Sequence, residues 1–207
     1  MAEKHIIINV GRQLGSGGHD IGRMLALDFQ AKYYDRELMN LAAKESGFSE
    51  KFFEQNDERK GFFKGLFNVQ TPHFSGGSLY KTNFSQESLF QFQSDAIRKA
   101  AKEGSCVFVG RCADYVLRDF PNTVNIFITA SMEHRIEQII NKQHVDKDTA
   151  RKIIEQGEEK RAQFYNYYTG KKWGAAESYD LCIDSSILGL QQTERLIADF
   201  IRKKFRL

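Results

Sequence analysis

The chain of 207 residues has 41% hydrophobic and 28% charged residues, which is typical of one globular domain, here spanning 1–207. Its formal net charge of +3 is too small for generic nucleic-acid coating, so we expect no nucleic-acid partner. The three cysteines, Cys106, Cys112 and Cys182, have no CxxC spacing, which favours a reducing, cytoplasmic location. The N-terminal apolar run, residues 6–10, is too short for a membrane span or a signal peptide, so we expect no membrane partner.

Short apolar segments alternate with segments of helical periodicity along the chain. We predict strands at residues 6–10, 32–34, 106–109, 124–129 and 181–184. The helical pattern predicts helices that include residues 21–29, 36–44, 89–101, 113–117, 131–142, 146–168 and 196–201. Strands without polar alternation are buried on both faces, and such strands alternate with helices in parallel sheets. The sequence therefore predicts an α/β fold in which helices cover both faces of a mostly parallel sheet.

Residues 52–92 interrupt this alternation. They contain nine of the seventeen phenylalanines, together with scattered glycines and Pro72. One interpretation is a helical, Phe-rich insertion, residues 51–93, whose aromatic side chains pack into a small core of their own. A second, compatible interpretation is a mobile flap over a substrate. Exposed phenylalanines would also suit a contact between subunits. A homo-oligomer that forms through this insertion is therefore a further possibility.

A glycine-rich loop lies between the first strand and the first helix. Residues 11–22 contain five glycines, more than one tight turn needs. Glycines in this position let backbone N–H groups point at an anion near a helix N-terminus. We predict that phosphate binds here, and the residues expected to contact it are Gly11, Gly15, Ser16, Gly17, Gly18, His19 and Asp20. A plain turn is the alternative, and the dinucleotide pattern GxGxxG fails because Asp20 stands at its last glycine.

Four segments together carry a family resemblance. They are residues 11–22, the run Tyr34-Asp35-Arg36-Glu37-Leu38, the run Val109-Gly110-Arg111-Cys112-Ala113-Asp114, and residues 168–181 with Trp173. In this order they resemble the cytidylate kinase-like family over nearly the whole chain. The resemblance implies a three-layer α/β/α P-loop kinase fold with a parallel five-stranded sheet, a monophosphate-binding insertion and a basic lid, here residues 143–172. It also implies ATP as phosphoryl donor, Mg²⁺ as cofactor, and nucleotides as substrates.

The loop departs from the Walker A pattern, GxxxxGK[ST], whose lysine reaches the phosphates and whose hydroxyl holds Mg²⁺. Counting back from the helix, Gly18 stands at the lysine position and Asp20 at the hydroxyl position. We expect Arg12 to supply the lost charge, because it can fold over bound phosphates, whereas Arg23 is expected to face solvent. Ser16 or Asp20 is expected to assist the metal ion. Alternatively the loop binds phosphate weakly, and the protein is a nucleotide sensor without turnover.

Two polar segments follow predicted strands, at the edge where ligands of open parallel sheets bind. By resemblance, Asp35 and Arg36 belong to the acceptor monophosphate site; the alternatives are a helix cap and a surface ion pair. Arg111 is a candidate to hold a phosphate through two parallel hydrogen bonds. The family motif there is Gly-Arg-Asp, with the Asp reading a pyrimidine. Here Cys112 replaces that Asp and Asp114 follows, either as a second acceptor contact or as a helix cap.

The basic region from Lys142 to Lys172 has eight Lys or Arg against five Asp or Glu. Most of these charges are expected to be solvated. By resemblance, Arg161 is the candidate transition-state arginine, and Arg135 stacks near the donor adenine or lies on the helix surface. The hypothesis is ATP-dependent phosphoryl transfer to a nucleoside monophosphate, with CMP, dCMP or UMP as expected acceptors. Its rivals are a regulatory nucleotide-binding module and a kinase for another small acceptor.

Overall fold

The computed structural model describes residues 5–35 and 86–207. Within them a five-stranded sheet is formed by β1 (Ile7–Arg12), β2 (Lys32–Tyr34), β3 (Cys106–Val109), β4 (Thr123–Thr129) and β5 (Leu181–Asp184). The strand order is β2-β3-β1-β4-β5, and every neighbouring pair is parallel. The predicted parallel α/β sheet is therefore confirmed, and β1 lies at its centre.

The helices alternate with these strands as the periodicity predicts. They are α1 (Gly18–Asp28), α2 (Gln86–Glu103), α3 (Ala113–Val116), α4 (Met132–Gln143), α5 (Lys147–Thr169) and α6 (Ser185–Phe205). The Ser131 hydroxyl accepts a hydrogen bond from the His134 N–H at 3.3 Å and caps α4 as predicted. Asp146 caps α5 in the same way, through the Thr149 N–H at 2.9 Å. In the part of the chain that the structure describes, no helix is long and apolar enough to cross a membrane.

Both faces of the sheet are covered. On one face, Ile21 and Leu25 of α1 and Ile197 and Ile201 of α6 are fully buried against β1, β3 and β4. On the other, Ile97 of α2 is among the side chains that pack on β3. Burial of such a side chain stabilises the fold by about 1.5–3 kcal/mol. A separate cluster joins α4 to α5, so α5 is held at the carboxyl edge of the sheet.

Three predictions concern residues outside the described ranges. The helix at 36–44, with Arg36, and residues 51–85 of the Phe-rich insertion lie there. Residues 86–93 are described and form the beginning of α2, where Phe90 and Phe92 pack against the core on the sheet rather than in a core of their own.

Candidate functional site

The Arg12 side chain packs against Gly18, which stands at the lysine position of the Walker A pattern. A Cβ atom on Gly18 would lie 2.5 Å from Arg12 Cβ and 2.8 Å from Arg12 Cγ, so a side chain is sterically excluded there. The guanidinium then reaches Gly110, where a Cβ atom would overlap Arg12 Nη1. Gly110 also has a φ of +80°, which favours glycine. A side chain at position 18 and the present path of Arg12 are therefore sterically incompatible.

His19 lies beside this guanidinium. Its Nε2 is 3.4 Å from Arg12 Nη2, its Nδ1 is 3.0 Å from the Tyr33 hydroxyl, and the same Nδ1 is 4.0 Å from Asp35 Oδ2. Desolvation, followed by the positive charge of Arg12, lowers the pKa of His19 to about 4. His19 is therefore neutral at pH 7, and its Nε2 can accept from Arg12. Asp35 is buried directly after β2, so the cluster spans from the glycine loop to the carboxyl end of β2.

The two predicted metal ligands are placed differently. Ser16 is fully buried, and its hydroxyl donates to the Gln13 carbonyl at 2.9 Å within the loop. This position disfavours Ser16 as a metal ligand, because its oxygen is closed off from the surface. Asp20 is exposed in the first turn of α1. One carboxylate beside a phosphate loop fits Mg²⁺, which takes one or two protein carboxylates together with substrate phosphates and water.

Glu158 connects α5 to the glycine loop. Its Oε1 accepts the Leu14 N–H at 2.7 Å, and its Oε2 lies 3.1 Å from Arg135 Nη1. Arg135 is buried, so of its two alternatives the position on the helix surface does not hold. Its guanidinium pairs with Glu158 because a buried cation needs a counter-charge. The stacking of Arg135 on adenine stays a prediction. Arg135 would have to contact the base while it is paired with Glu158.

Arg161 lies one turn further along α5. Its Nη1 donates to the main-chain oxygen of Arg12 at 3.1 Å and lies 3.7 Å from Glu158 Oε1. The candidate transition-state arginine is therefore brought to the entrance of the glycine loop, 149 residues away in the sequence.

The carboxyl edge of the sheet has an unusual turn after β3. Gly110, Arg111 and Cys112 all have positive φ angles, of 80°, 61° and 55°. Non-glycine residues adopt this conformation at a cost of about 1–2 kcal/mol each, and such turns concentrate at functional sites. The turn presents the Arg111 guanidinium over the Phe164 ring of α5, 4.8 Å from the ring centre.

Asp114 is held by a buried tyrosine. The Tyr165 hydroxyl of α5 donates to Asp114 Oδ2 at 2.6 Å. Desolvation raises the pKa of Asp114, while this hydrogen bond opposes the rise. The pKa of Tyr165 is also raised, by burial and by the bond to Asp114. The neighbouring Cys112 is buried, and burial raises the pKa of its thiol to about 12, so the residue at the family's Asp position is uncharged.

The carboxyl edge of the sheet therefore brings Arg12, Asp35, Arg111 and Asp114 onto one side, and α5 contacts three of them. Parallel strands, a glycine loop before α1 and arginines at this edge define a P-loop kinase fold. The chain belongs to the cytidylate kinase-like family, whose model matches residues 7–187.

Solved structures share the fold of this chain. An uncharacterized protein from Eubacterium ventriosum is 26% identical, with a TM-score of 0.73, over 95% of this chain and 98% of that one. A shikimate kinase from Bacteroides thetaiotaomicron (13% identity, TM-score 0.54, 98% and 99% coverage) has a similar fold. So does a gluconokinase from Sinorhizobium meliloti (10% identity, TM-score 0.51, 96% and 92% coverage). The chain matches no curated protein. The family and the fold support phosphoryl transfer as the general reaction class.

Sequence reasoning missed two side chains of the site. They are Tyr165, which holds Asp114, and Glu158, which contacts the glycine loop and Arg161. The available signal was spacing on α5, because residues 158, 161 and 165 lie three and four apart and so share one helix face.

Proposed function

We propose that this protein transfers the γ-phosphoryl group of ATP to a nucleoside monophosphate, with a pyrimidine nucleotide such as CMP, dCMP or UMP as acceptor. The observation that carries the proposal is the path of Arg12. Its side chain crosses Gly18 and reaches Gly110, so one guanidinium lies between the glycine loop and the acceptor edge. Phosphoryl transfer needs a positioned cation between donor and acceptor far more than it needs a covalent group.

On the donor side, the backbone N–H groups of the loop and of the first turn of α1 would hold the ATP phosphates. Arg12 would neutralise charge that develops on the transferred group. Neutral His19 supports this role, because its Nε2 accepts from Arg12 without adding a competing positive charge. Exposed Asp20 is the candidate to hold Mg²⁺, which when bound neutralises phosphate charge.

On the acceptor side, Arg111 would hold the monophosphate and Asp114 would contact the base or sugar. The Arg111 guanidinium lies over the Phe164 ring at 4.8 Å, and this contact positions its charge at the carboxyl edge of the sheet. Asp35, buried beside His19, would contact the acceptor from the other side of the edge. Arg36 stays a candidate outside the described residues.

Arg161 and α5 would complete the site. Arg161 is bonded to the main chain of Arg12, and Phe164 and Tyr165 contact Arg111 and Asp114. One helix therefore contacts both the donor and the acceptor residues. We propose that residues 143–172 act as the lid, which would exclude water and so limit hydrolysis of ATP.

A kinase for a different small acceptor is the second candidate. The observation in its favour is Cys112, a buried, uncharged thiol at the position where cytidylate kinases carry the base-reading Asp. Asp114 stands two residues later, and its carboxylate is bonded to Tyr165. A carboxylate in this position would meet an acceptor from a different direction than the Asp of the family motif.

The test is a product assay with ATP and Mg²⁺ against CMP, dCMP, UMP, AMP and GMP, and against a panel of hydroxylated metabolites. The proposal expects a pyrimidine diphosphate by mass spectrometry. A phosphorylated metabolite from the second panel would favour the second candidate. ATP binding without product from any acceptor would favour a regulatory nucleotide-binding module.

A further inference from the structure

The two oxygens of the Glu158 carboxylate have different partners: one accepts a main-chain N–H, and the other pairs with an arginine. Oε1 accepts the Leu14 N–H at 2.7 Å and lies 3.7 Å from Arg161 Nη1. Oε2 lies 3.1 Å from Arg135 Nη1. The three partners come from the glycine loop, from α5 itself and from α4, so one side chain joins three elements at the loop.

Burial strengthens the charge attraction between Glu158 and Arg135, although Arg135 Nη1 lacks hydrogen-bond geometry to the carboxylate. The Glu158 side chain is 18% exposed and that of Arg135 is 6% exposed, so water screens the pair weakly. A buried charge whose partner is removed costs several kcal/mol, which fixes both groups in place. A charge-assisted hydrogen bond such as that to the Leu14 N–H is about twice as strong as a neutral one.

Close packing supports the same contact. A Cβ atom on Gly157 would lie 2.8 Å from Leu14 Cδ2, so the glycine lets the loop approach α5 closely. Glycine in the middle of a helix costs about 1 kcal/mol relative to alanine. Because Leu14 has a single N–H, which is bonded to Glu158, its amide is engaged by α5 rather than by a ligand.

We propose that Glu158 is a positioning residue: it fixes the glycine loop through the Leu14 N–H and aims Arg161 through its charge. This inference rests on the proposed function and extends it, since it assigns the geometry of the donor site to one carboxylate. Glu158 itself does not touch the reacting atoms. Contact with the loop depends on the length of the side chain, whereas the effect on Arg161 depends on its negative charge. Substitutions can therefore separate the two tasks.

Two variants separate these tasks. Glu158→Gln keeps an oxygen for the Leu14 N–H but removes the charge, so we expect kcat to fall about tenfold with little change in the KM for ATP. Glu158→Asp keeps the charge but is one methylene shorter, so we expect the KM for ATP to rise about tenfold with a smaller change in kcat. The matched control is Glu159→Gln, an exposed neighbour that accepts from Gln163 within α5.

A double-mutant cycle tests the link to Arg161. In an Arg161→Ala background, Glu158→Gln should change kcat less than twofold further, because the group that it aims is gone. A residue that only supports the fold would lower the melting temperature in both variants and leave kcat and KM of the folded enzyme unchanged. Kinetics in both variants equal to those of Glu159→Gln would overturn the proposal. If Glu158→Gln does not fold, Glu158→Asp carries the test.

Calorimetric binding of ADP with Mg²⁺ distinguishes this proposal from the proposed function, because it needs no acceptor. If the wild type phosphorylates no acceptor but Glu158→Asp binds ADP about tenfold more weakly than Glu159→Gln, the proposed function fails and the positioning of the loop stands. Equal ADP affinity in an inactive protein would overturn the inference as well.

Discussion

Arg161 donates a hydrogen bond to the main-chain oxygen of Arg12 at 3.1 Å. The contact joins the middle of α5 to the last residue of the central strand, where the glycine loop begins. The two arginines are therefore organised together. The Arg12 side chain runs past Gly18 to Gly110, and Arg161 contacts the main chain from which that side chain begins.

Exchanging the residues at positions 12 and 18 tests whether Arg12 replaces the Walker A lysine. The single variant Gly18→Lys should lose activity about a hundredfold, because its Cβ would lie 2.5 Å from Arg12 Cβ. Arg12→Gly should lose a similar amount because the cation is absent. The double variant Arg12→Gly with Gly18→Lys should recover at least tenfold over either single variant. Steady-state kinetics with saturating acceptor measure this, and additive losses in the double variant would contradict it.

Gly110→Ala should move the Arg12 guanidinium without changing any charge. The added methyl would overlap Arg12 Nη1, and a φ of +80° strains alanine by about 1–2 kcal/mol. We expect a lower free energy of unfolding in a urea titration and a fall in kcat of about tenfold. Gly104→Ala is the control, since no atom lies within 4 Å of its Cβ. Equal kcat values in the two variants would show that the catalytic position of the Arg12 guanidinium does not depend on Gly110.

Tyr165→Phe should disturb Asp114 and acceptor binding together. The substitution removes the 2.6 Å hydrogen bond, at a cost of about 1–2 kcal/mol in the free energy of unfolding. The pKa of Asp114 should rise further, because that bond lowers it. The acidic limb of the pH profile of kcat/KM for the acceptor should therefore move to higher pH. Tyr167→Phe, which removes an exposed bond to Glu87, should leave the limb in place.

The raised pKa of Asp114 also has a consequence for stability. The folded protein binds this proton more tightly than the unfolded chain, whose pKa is the ordinary 3.8. The contribution of Asp114 to stability therefore falls as the pH rises above 3.8, until the folded carboxyl is ionised. Asp114→Asn should remove this decline in a pH series of urea titrations, and an unchanged series would show that Asp114 titrates normally.

His19 should titrate far below an ordinary histidine. Its pKa of about 4 means that the folded protein resists a proton that the unfolded chain takes up near pH 6.5. Its contribution to stability is complete above pH 6.5 and is lost as the pH falls from 6.5 to 4. NMR titration of the ring protons should give a midpoint near 4, and Arg12→Ala should raise it. A midpoint near 6.5 in the wild type would show that the ring does not contact Arg12.

The sheet could be predicted because its strands are buried on both faces. Residues 106–109 and 181–184 form β3 and β5 with the predicted bounds, and the glycines before α1 marked the loop. β1 extends to Arg12, two residues beyond its predicted end, because it pairs with β4 up to Ile128. That extension places the base of the Arg12 side chain against Gly18.

The long-range contacts could not be predicted from local pattern. Leu14 and Glu158 are 144 residues apart, and nothing near either residue indicates their hydrogen bond. Arg135 has an ordinary position in an amphipathic helix, so its burial follows only from the packing of α4 against α5. Ser16 is typical of a metal-binding loop residue, yet its hydroxyl bonds the Gln13 carbonyl inside the loop, a contact that the sequence does not indicate.

The most direct test is ADP release from ATP and Mg²⁺, measured with and without CMP, in the wild type and in Arg12→Ala. The account predicts ADP release that requires the acceptor in the wild type and falls about a hundredfold in Arg12→Ala. Equal rates with and without every acceptor tested, or equal rates in the two proteins, would contradict the claim that Arg12 links the glycine loop to an acceptor site.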